Sequence, residues 1–277
     1  MLNWWEALIL GSVQGFTEFL PVSSTGHLVL VQLMLGVEEI GQDFDIFVHI
    51  GTLLAVLLFF GKSLIPLTRK YWWQVGIATV PAVIFALLFK DWVEAVRLDV
   101  GVMILSYLLN AVLLGVASLL LPSTEPGSTP TRFLAAREWW DKTQRSLGLT
   151  PRDSISTWQA FLVGVLQAIA IIPAVSRSAS TVAAGVVVGL TRENAFTFAF
   201  LISIPAVLGA IVFSLVDVWQ SGLAGTIDWN IYLLAVLMSG ITGYIALALL
   251  RWIIKQGQLW FFAGYCVLVS VLLFFFA

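Results

Sequence analysis

Two short stretches of the 277-residue chain gather side chains that can do chemistry. In the first, Gln14 and Glu18 stand four residues apart, so on a helix they share one face. The run Pro21-Val22-Ser23-Ser24-Thr25-Gly26-His27 follows. Ser23, Ser24 and Thr25 are of the kind that caps a helix, which puts His27 in the first turn of that helix. In the second stretch, Ser176, Arg177 and Ser178 precede a glycine- and alanine-rich segment, 179–190, which also carries Thr181. A helix N-terminus offers unbonded N–H groups and the positive end of the helix dipole. A guanidinium adds a planar fork matched to phosphate oxygens. Ser176, Arg177, Ser178 and Thr181 with that helix end therefore read as an oxyanion site. A phosphoryl group has non-bridging oxygens to hold, a leaving group to protonate and often a metal to share. Glu18 suits metal ligation or general-base work, and His27 suits a nucleophile or an acid/base. Plainer roles compete: Glu18 as a cap or as the ion-pair partner of Arg177, and His27 as a buried hydrogen-bonded histidine. The other histidine, His49 in Phe47-Val48-His49-Ile50-Gly51, is either a packed polar residue or part of the site lining.

The elements that must hold these residues are membrane elements. Apolar types make up 60% of the chain and charged types 11%, against about 45–50% and about 25% in soluble domains. So few charges cannot cover a water-facing surface. An ordinary soluble enzyme, a disordered protein and a nucleic-acid binder are excluded. The net charge of −2 carries little information. The single cysteine, Cys266, excludes a disulfide framework and a cysteine-based zinc site. The N-terminus has no Lys or Arg before its apolar run, so no cleavable signal peptide is expected.

Uncharged windows predict spans at 46–61, 71–89, 100–121, 194–216, 229–250 and 256–277. Two further apolar regions, 7–36 and 158–190, are broken in the middle by the polar residues described above. They resemble each other: Gly11 and Gly164, Gln14 and Gln167, Ser23 and Ser176, and Thr25 and Ser178 each lie 153 residues apart. The same offset carries the three spans after the first broken region onto the three after the second, which marks a duplication. Each broken region is either one kinked span or a re-entrant helix–loop–helix. Its length favours the second, because neither half is long enough to cross alone. Polar backbone at membrane depth is tolerated only when buried in protein or lining a wet cavity, so a site is implied either way. A re-entrant segment followed by three spans reverses the orientation of the second half. The expected fold is thus an all-α polytopic membrane protein of two inverted repeats, 1–121 and 158–277, joined by a linker at 122–157. Each repeat is a re-entrant helix–loop–helix followed by three transmembrane helices.

Eleven basic residues (Lys62, Arg69, Lys70, Arg132, Arg137, Lys142, Arg145, Arg152, Arg192, Arg251 and Lys255) fall on one predicted face, against Lys90 and Arg97 on the other. The positive-inside rule makes the first face cytoplasmic. Both termini and the mouth of the first broken region are then outside, and the linker, with Trp139 and Trp140 near headgroup level, is cytoplasmic. Of the fourteen basic residues only Arg177 remains, at membrane depth, where a charge is costly and marks a functional site by default. If the two loops enter from opposite faces, their helix N-termini are expected to meet near the midplane. Arg177, Ser24, His27 and Glu18 would then surround one small anion. Trp72, Trp73, Trp92 and Trp252 fall at predicted span ends, as interfacial anchors do.

Gln14–His27 and Pro173–Thr181 resemble the two signature regions of the undecaprenyl-diphosphate phosphatase family, also called bacitracin-resistance proteins. Motif positions, length and repeat layout agree over essentially the whole chain. Ala174 and Ala179 stand where the family usually has glycine, and a left-handed backbone at either position would be strained in alanine. The resemblance implies hydrolysis of undecaprenyl diphosphate to the monophosphate in a bacterial inner membrane, recycling the lipid carrier of cell-wall synthesis. It also implies a divalent cation, Mg2+ or Ca2+. By the same resemblance Glu18 is a metal ligand or base, Ser24 a phosphate contact or nucleophile, and His27 a nucleophile or acid/base. Arg177 is the phosphate clamp, with Ser176, Ser178 and Thr181 in support. Ser23, Thr25, Gln14 and His49 are expected, from their own positions, to line the substrate. The implied partners are the polyprenyl lipid and the surrounding membrane, with no nucleic acid; a homo-oligomer is compatible with the sequence. The rival reading is an inverted-repeat secondary transporter, or a flippase, for an anionic substrate.

Overall fold

A computed structural model describes residues 2–37, 42–64, 69–120, 142, 155–220 and 228–276. Among the described residues the regular elements are helices: α1 (Trp4–Phe19), α2 (Ser24–Leu35), α3 (Gln42–Leu64), α4 (Arg69–Ala95), α5 (Val100–Leu120), α6 (Thr157–Ile169), α7 (Arg177–Val187), α8 (Arg192–Gln220), α9 (Trp229–Gln256) and α10 (Trp260–Phe276). Nearly all of the expected linker, including Trp139 and Trp140, lies outside the described residues.

Helices α3, α4, α5, α8 and α9 are long and apolar enough to cross a membrane. The expected span 256–277 comes out shorter. Gly257, at φ 71°, ends α9, and α10 starts only at Trp260 and has 17 residues. At 1.5 Å per residue that is about 26 Å, a little under the ~30 Å hydrocarbon thickness.

Each broken region is a pair of short helices. α1 and α2 have 16 and 12 residues, and α6 and α7 have 13 and 11. Both pairs open on a capping box: the Asn3 side chain with Glu6, and the Ser156 side chain with Gln159. In each box two otherwise unbonded N–H groups are satisfied reciprocally. Both pairs are followed by a left-handed glycine, Gly36 at φ 63° and Gly189 at φ 92°. All three correspondences fall on the same 153-residue offset as Gly11 and Gly164.

Two compact units divide the chain, and they interleave with the two sequence halves. One holds 1–67 and 203–248, the other 68–202 and 249–277. In the first unit, α1 and α3 dock on α9 through small residues, which let backbones approach closely. A Cβ at Gly11 would stand 2.6 Å from the Ala235 carbonyl oxygen, and one at Gly15 would stand 2.5 Å from that of Ser239. Ser239 Oγ donates to the Val48 carbonyl at 2.9 Å, tying α9 to α3. Ala7, Leu10, Leu28, Phe44, Val48 and Ala235 form the buried apolar cluster around this contact.

In the second unit, α6 docks on α4 through Gly164, where a Cβ would overlap the Ala78 carbonyl. Gln167 Nε2 donates to that same carbonyl at 3.4 Å. At the end of α7, the Val188 carbonyl accepts from Gln159 Nε2 at 2.6 Å, fixing the pair α6–α7. Ser270 Oγ of α10 donates to the Ile104 carbonyl of α5 at 3.3 Å. In both units, the first short helix of one half thus docks by an equivalent glycine on the second long helix of the other half.

Candidate active site

In the first unit, the shared helix face brings Gln14 and Glu18 together: Gln14 Nε2 donates to Glu18 Oε2 at 3.2 Å. The chain then turns. Ser23, at φ 69°, caps α2, its hydroxyl accepting from Gly26 N. This turn carries Ser24 back to α1, where Ser24 Oγ donates to Glu18 Oε2 at 2.7 Å. His49 arrives from α3. Its Nδ1 lies 2.6 Å from the Asp45 carbonyl, an acceptor only, so Nδ1 carries the proton. In the neutral ring Nε2 is then an acceptor, and it faces Gln14 Nε2 at 3.3 Å and Glu18 Oε2 at 3.7 Å. Both amide protons of Gln14 are thereby committed. Its Oε1 is buried and has no hydrogen-bond partner among the described residues.

His27 sits in the first turn of α2, with Nδ1 2.7 Å from the Ser23 carbonyl. By the same reasoning Nδ1–H donates there, and Nε2 is the ring nitrogen whose lone pair acid/base or nucleophilic work would use. Thr25 is half-buried beside it.

The structure places the arginine cluster in the second unit. Ser176 caps α7: its Oγ accepts from Ala179 N at 3.2 Å and shares a proton with Ser178 Oγ at 3.1 Å. Arg177 is the first residue of the helix. Thr181 Oγ1 donates to the Arg177 carbonyl at 2.8 Å, so its proton is spent on its own helix. The structure thus joins Gln14, Glu18, Ser24 and His49 in one hydrogen-bonded group, with His27 anchored on the same turn. It joins Ser176 and Ser178 beside Arg177 in another.

Of the two alanines at expected glycine positions, only Ala174 is left-handed, at φ 62°, while Ala179 lies inside α7. An L-residue there costs roughly 1–2 kcal/mol, and the surroundings hold it. Asn110 of α5 donates from Nδ2 to the Ala174 carbonyl at 2.9 Å and accepts at Oδ1 from Ser176 N at 2.8 Å. Ser106, one turn earlier, donates to the Pro173 carbonyl at 2.7 Å. Sequence reasoning passed over both residues, because each is an uncharged polar side chain inside an apolar window. Their four-residue spacing, which puts them on one face of α5, was the only available signal.

The donor set suits a hard cation. Glu18 supplies a carboxylate and Gln14 a buried carbonyl oxygen without a partner among the described residues. Among those residues no three His, Cys, Asp or Glu side chains cluster. One carboxylate completed by substrate phosphate oxygens is how Mg2+ is commonly held.

Residues 7–272 match the family model described as bacitracin resistance protein BacA. The chain belongs to that family. Curated members resemble it over nearly all their length. An undecaprenyl-diphosphatase of Prosthecochloris aestuarii is 34% identical over 92% of this chain and 90% of its own. One from Methanosphaera stadtmanae is 33% identical over 98% and 97%. Undecaprenyl-diphosphatase 4 of Bacillus cereus is 37% identical over 95% and 93%. Membership of the BacA family and the five apolar helices together make this a multi-pass membrane protein.

Proposed function

We propose that the chain is an integral-membrane undecaprenyl-diphosphatase. It hydrolyses undecaprenyl diphosphate to undecaprenyl phosphate and inorganic phosphate, and so recycles the lipid carrier of cell-wall synthesis. The observation that carries this reading is the 2.7 Å hydrogen bond from Ser24 Oγ to Glu18 Oε2, in a chain matched to the family across residues 7–272. A hydroxyl already donating to a carboxylate is a nucleophile beside its base.

In the reaction, Ser24 Oγ attacks the terminal phosphorus and its proton passes to Glu18. The bond from that phosphorus to the bridging oxygen breaks, and undecaprenyl phosphate leaves. His27 Nε2 then takes a proton from the water that attacks the phosphoserine, Glu18 returns its proton to Ser24 Oγ as the Ser24–phosphorus bond breaks, phosphate leaves, and His27 gives its proton to solvent. Arg177 is assigned the phosphate clamp on the family resemblance: its fork matches phosphate oxygens, and the N–H groups at the start of α7 beside it favour negative charge. Glu18 and Gln14 Oε1 would hold the divalent cation, magnesium or calcium, whose part is to neutralise phosphate charge. His49 keeps the Gln14 amide turned so that Oε1 is presented.

The same reading covers the architecture. The pairs α1–α2 and α6–α7 are re-entrant, in two repeats of opposite orientation, with both termini and the mouth of the first pair on the outer face. Its support is that α2, α6 and α7, with 12, 13 and 11 residues, fall well below the length of a span, together with the eleven-to-two asymmetry of basic residues. Purified chain in detergent with magnesium should release phosphate from undecaprenyl diphosphate; a transporter would release none. An acid-stable phosphate trapped on Ser24 supports the serine route, whereas an acid-labile one on His27 would make the imidazole the nucleophile.

A further inference from the structure

The turn that leads into Arg177 is held from outside its own segment. Ala174 is left-handed, Pro173 has no N–H to contribute, and the only turn bond formed there is Val175 N to the Ile172 carbonyl at 3.1 Å. Three further backbone groups there, the carbonyls of Pro173 and Ala174 and the N–H of Ser176, go to two side chains of α5. Asn110 spans the Ala174 carbonyl and the Ser176 N–H with the two ends of one amide, and Ser106 takes the Pro173 carbonyl. All four residues Ser106, Asn110, Ala174 and Ser176 are buried, and Asn110 has no exposed surface. An amide that bridges residues two apart fixes the backbone between them. The residue immediately after the bridge is Arg177, whose Cα direction is set by the capped Ser176 at φ −77° and ψ 118°.

We infer that Asn110, assisted by Ser106, is a positioning residue for phosphoryl transfer: it clamps the strained 173–176 turn and thereby aims the Arg177 guanidinium. The inference rests on Arg177 acting as the phosphate clamp. Its consequence is specific. The clamp is needed because residue 174 is an alanine, and a glycine there holds a positive φ without assistance.

The test uses the full chain purified in detergent, reading kcat, KM and Tm for four proteins: wild type, Asn110→Ala, Ala174→Gly and the double variant. Asn110→Ala should lower kcat/KM by about tenfold, the scale of one lost positioning hydrogen bond. Ala174→Gly alone should change it by less than about twofold, and the double variant should recover most of the loss. In an Arg177→Lys background, Asn110→Ala should add little, since both act on one contact. Wild-type turnover in Asn110→Ala would overturn the inference. So would a loss that glycine at 174 does not relieve and that multiplies with Arg177→Lys. Should Asn110→Ala fail to give monodisperse protein, Ser106→Ala replaces it. A loss of about threefold, relieved by Ala174→Gly, is then expected, and no loss overturns the inference. If wild type releases no phosphate, the functional reading fails instead. Thermal protection by inorganic pyrophosphate then becomes the readout: Asn110→Ala should lose it and the double variant regain it. Equal protection in all four proteins would overturn the positioning role.

Discussion

Replacing Glu18 by glutamine removes one charge and almost no volume. The carboxylate oxygen Oε2 accepts from Gln14 Nε2 and Ser24 Oγ and faces His49 Nε2 at 3.7 Å. A glutamine carbonyl at the same place accepts from the same two donors. The exchange turns two charge-assisted bonds into neutral ones, a loss of about 1 kcal/mol each. Against that, an amide is easier to hold than a carboxylate in a site with little water. The two effects leave stability within about 2 kcal/mol of wild type. For a chain of this length, about 2.1 cal/mol/K per residue of unfolding entropy makes that a shift of a few degrees at most. The chemistry should suffer far more: loss of a general base costs about 10²–10⁴-fold, and the cation loses its carboxylate. Tm and phosphate release at graded magnesium and calcium are measured on one sample of Glu18→Gln. Near-native melting with no activity at any metal concentration is expected. If Glu18 is instead only the counter-charge of a buried cation, its removal should cost about 3–5 kcal/mol. Markedly lower melting with residual metal-stimulated turnover would therefore refute the reasoning.

Three further outcomes follow from the same geometry. Arg177→Lys keeps the charge but not the fork, and should lose most activity, by about 10²-fold in kcat/KM, in a well-folded protein; near-normal turnover would remove the clamp. Gln14→Glu should stay active and reach half-saturation at lower magnesium, because a second carboxylate joins the ligand set beside Glu18; a higher metal requirement would contradict the placement of the cation. In a Cys266→Ser background, an impermeant thiol reagent added from outside should label a cysteine at residue 3 and miss one at residue 128, and the reverse pattern would invert the topology.

The reach of the sequence differed from element to element, for physical reasons. Uncharged windows mark the depth of lipid rather than the length of a helix. The window 71–89 therefore sits inside α4, which runs from Arg69 to Ala95 and carries Lys90, Asp91 and Glu94 beyond that window. The Gln14–Glu18 contact was legible because it is made within one helical turn. The 153-residue offset was visible in Gly11 and Gln14, yet it also holds for the capping boxes and for Gly36 and Gly189, whose meaning emerges only with their backbone angles. His49 stayed ambiguous because its partners lie 35 or fewer residues away on another helix, a pairing no local pattern encodes. Asn110 was invisible for the same reason at a larger separation. An amide in an apolar window announces nothing until the turn it holds, 64 residues later, is in place.

The docking of α1 on α9 also sets a schedule for synthesis. Gly11 leaves the ribosome 224 residues before Ala235, the residue it must pack against. At about 5–20 residues per second that is an interval of roughly 10–45 s. Throughout it the glycine face of α1 and the polar groups of Gln14 and Glu18 exist without the helix that will cover that face. Two short helices with an exposed polar turn are poor candidates for release into lipid on their own. The nascent first pair should therefore remain sheltered by the insertion machinery until α9 is made. A chain truncated before residue 229 should be recognised as unfinished and degraded, even though α1 to α8 are complete.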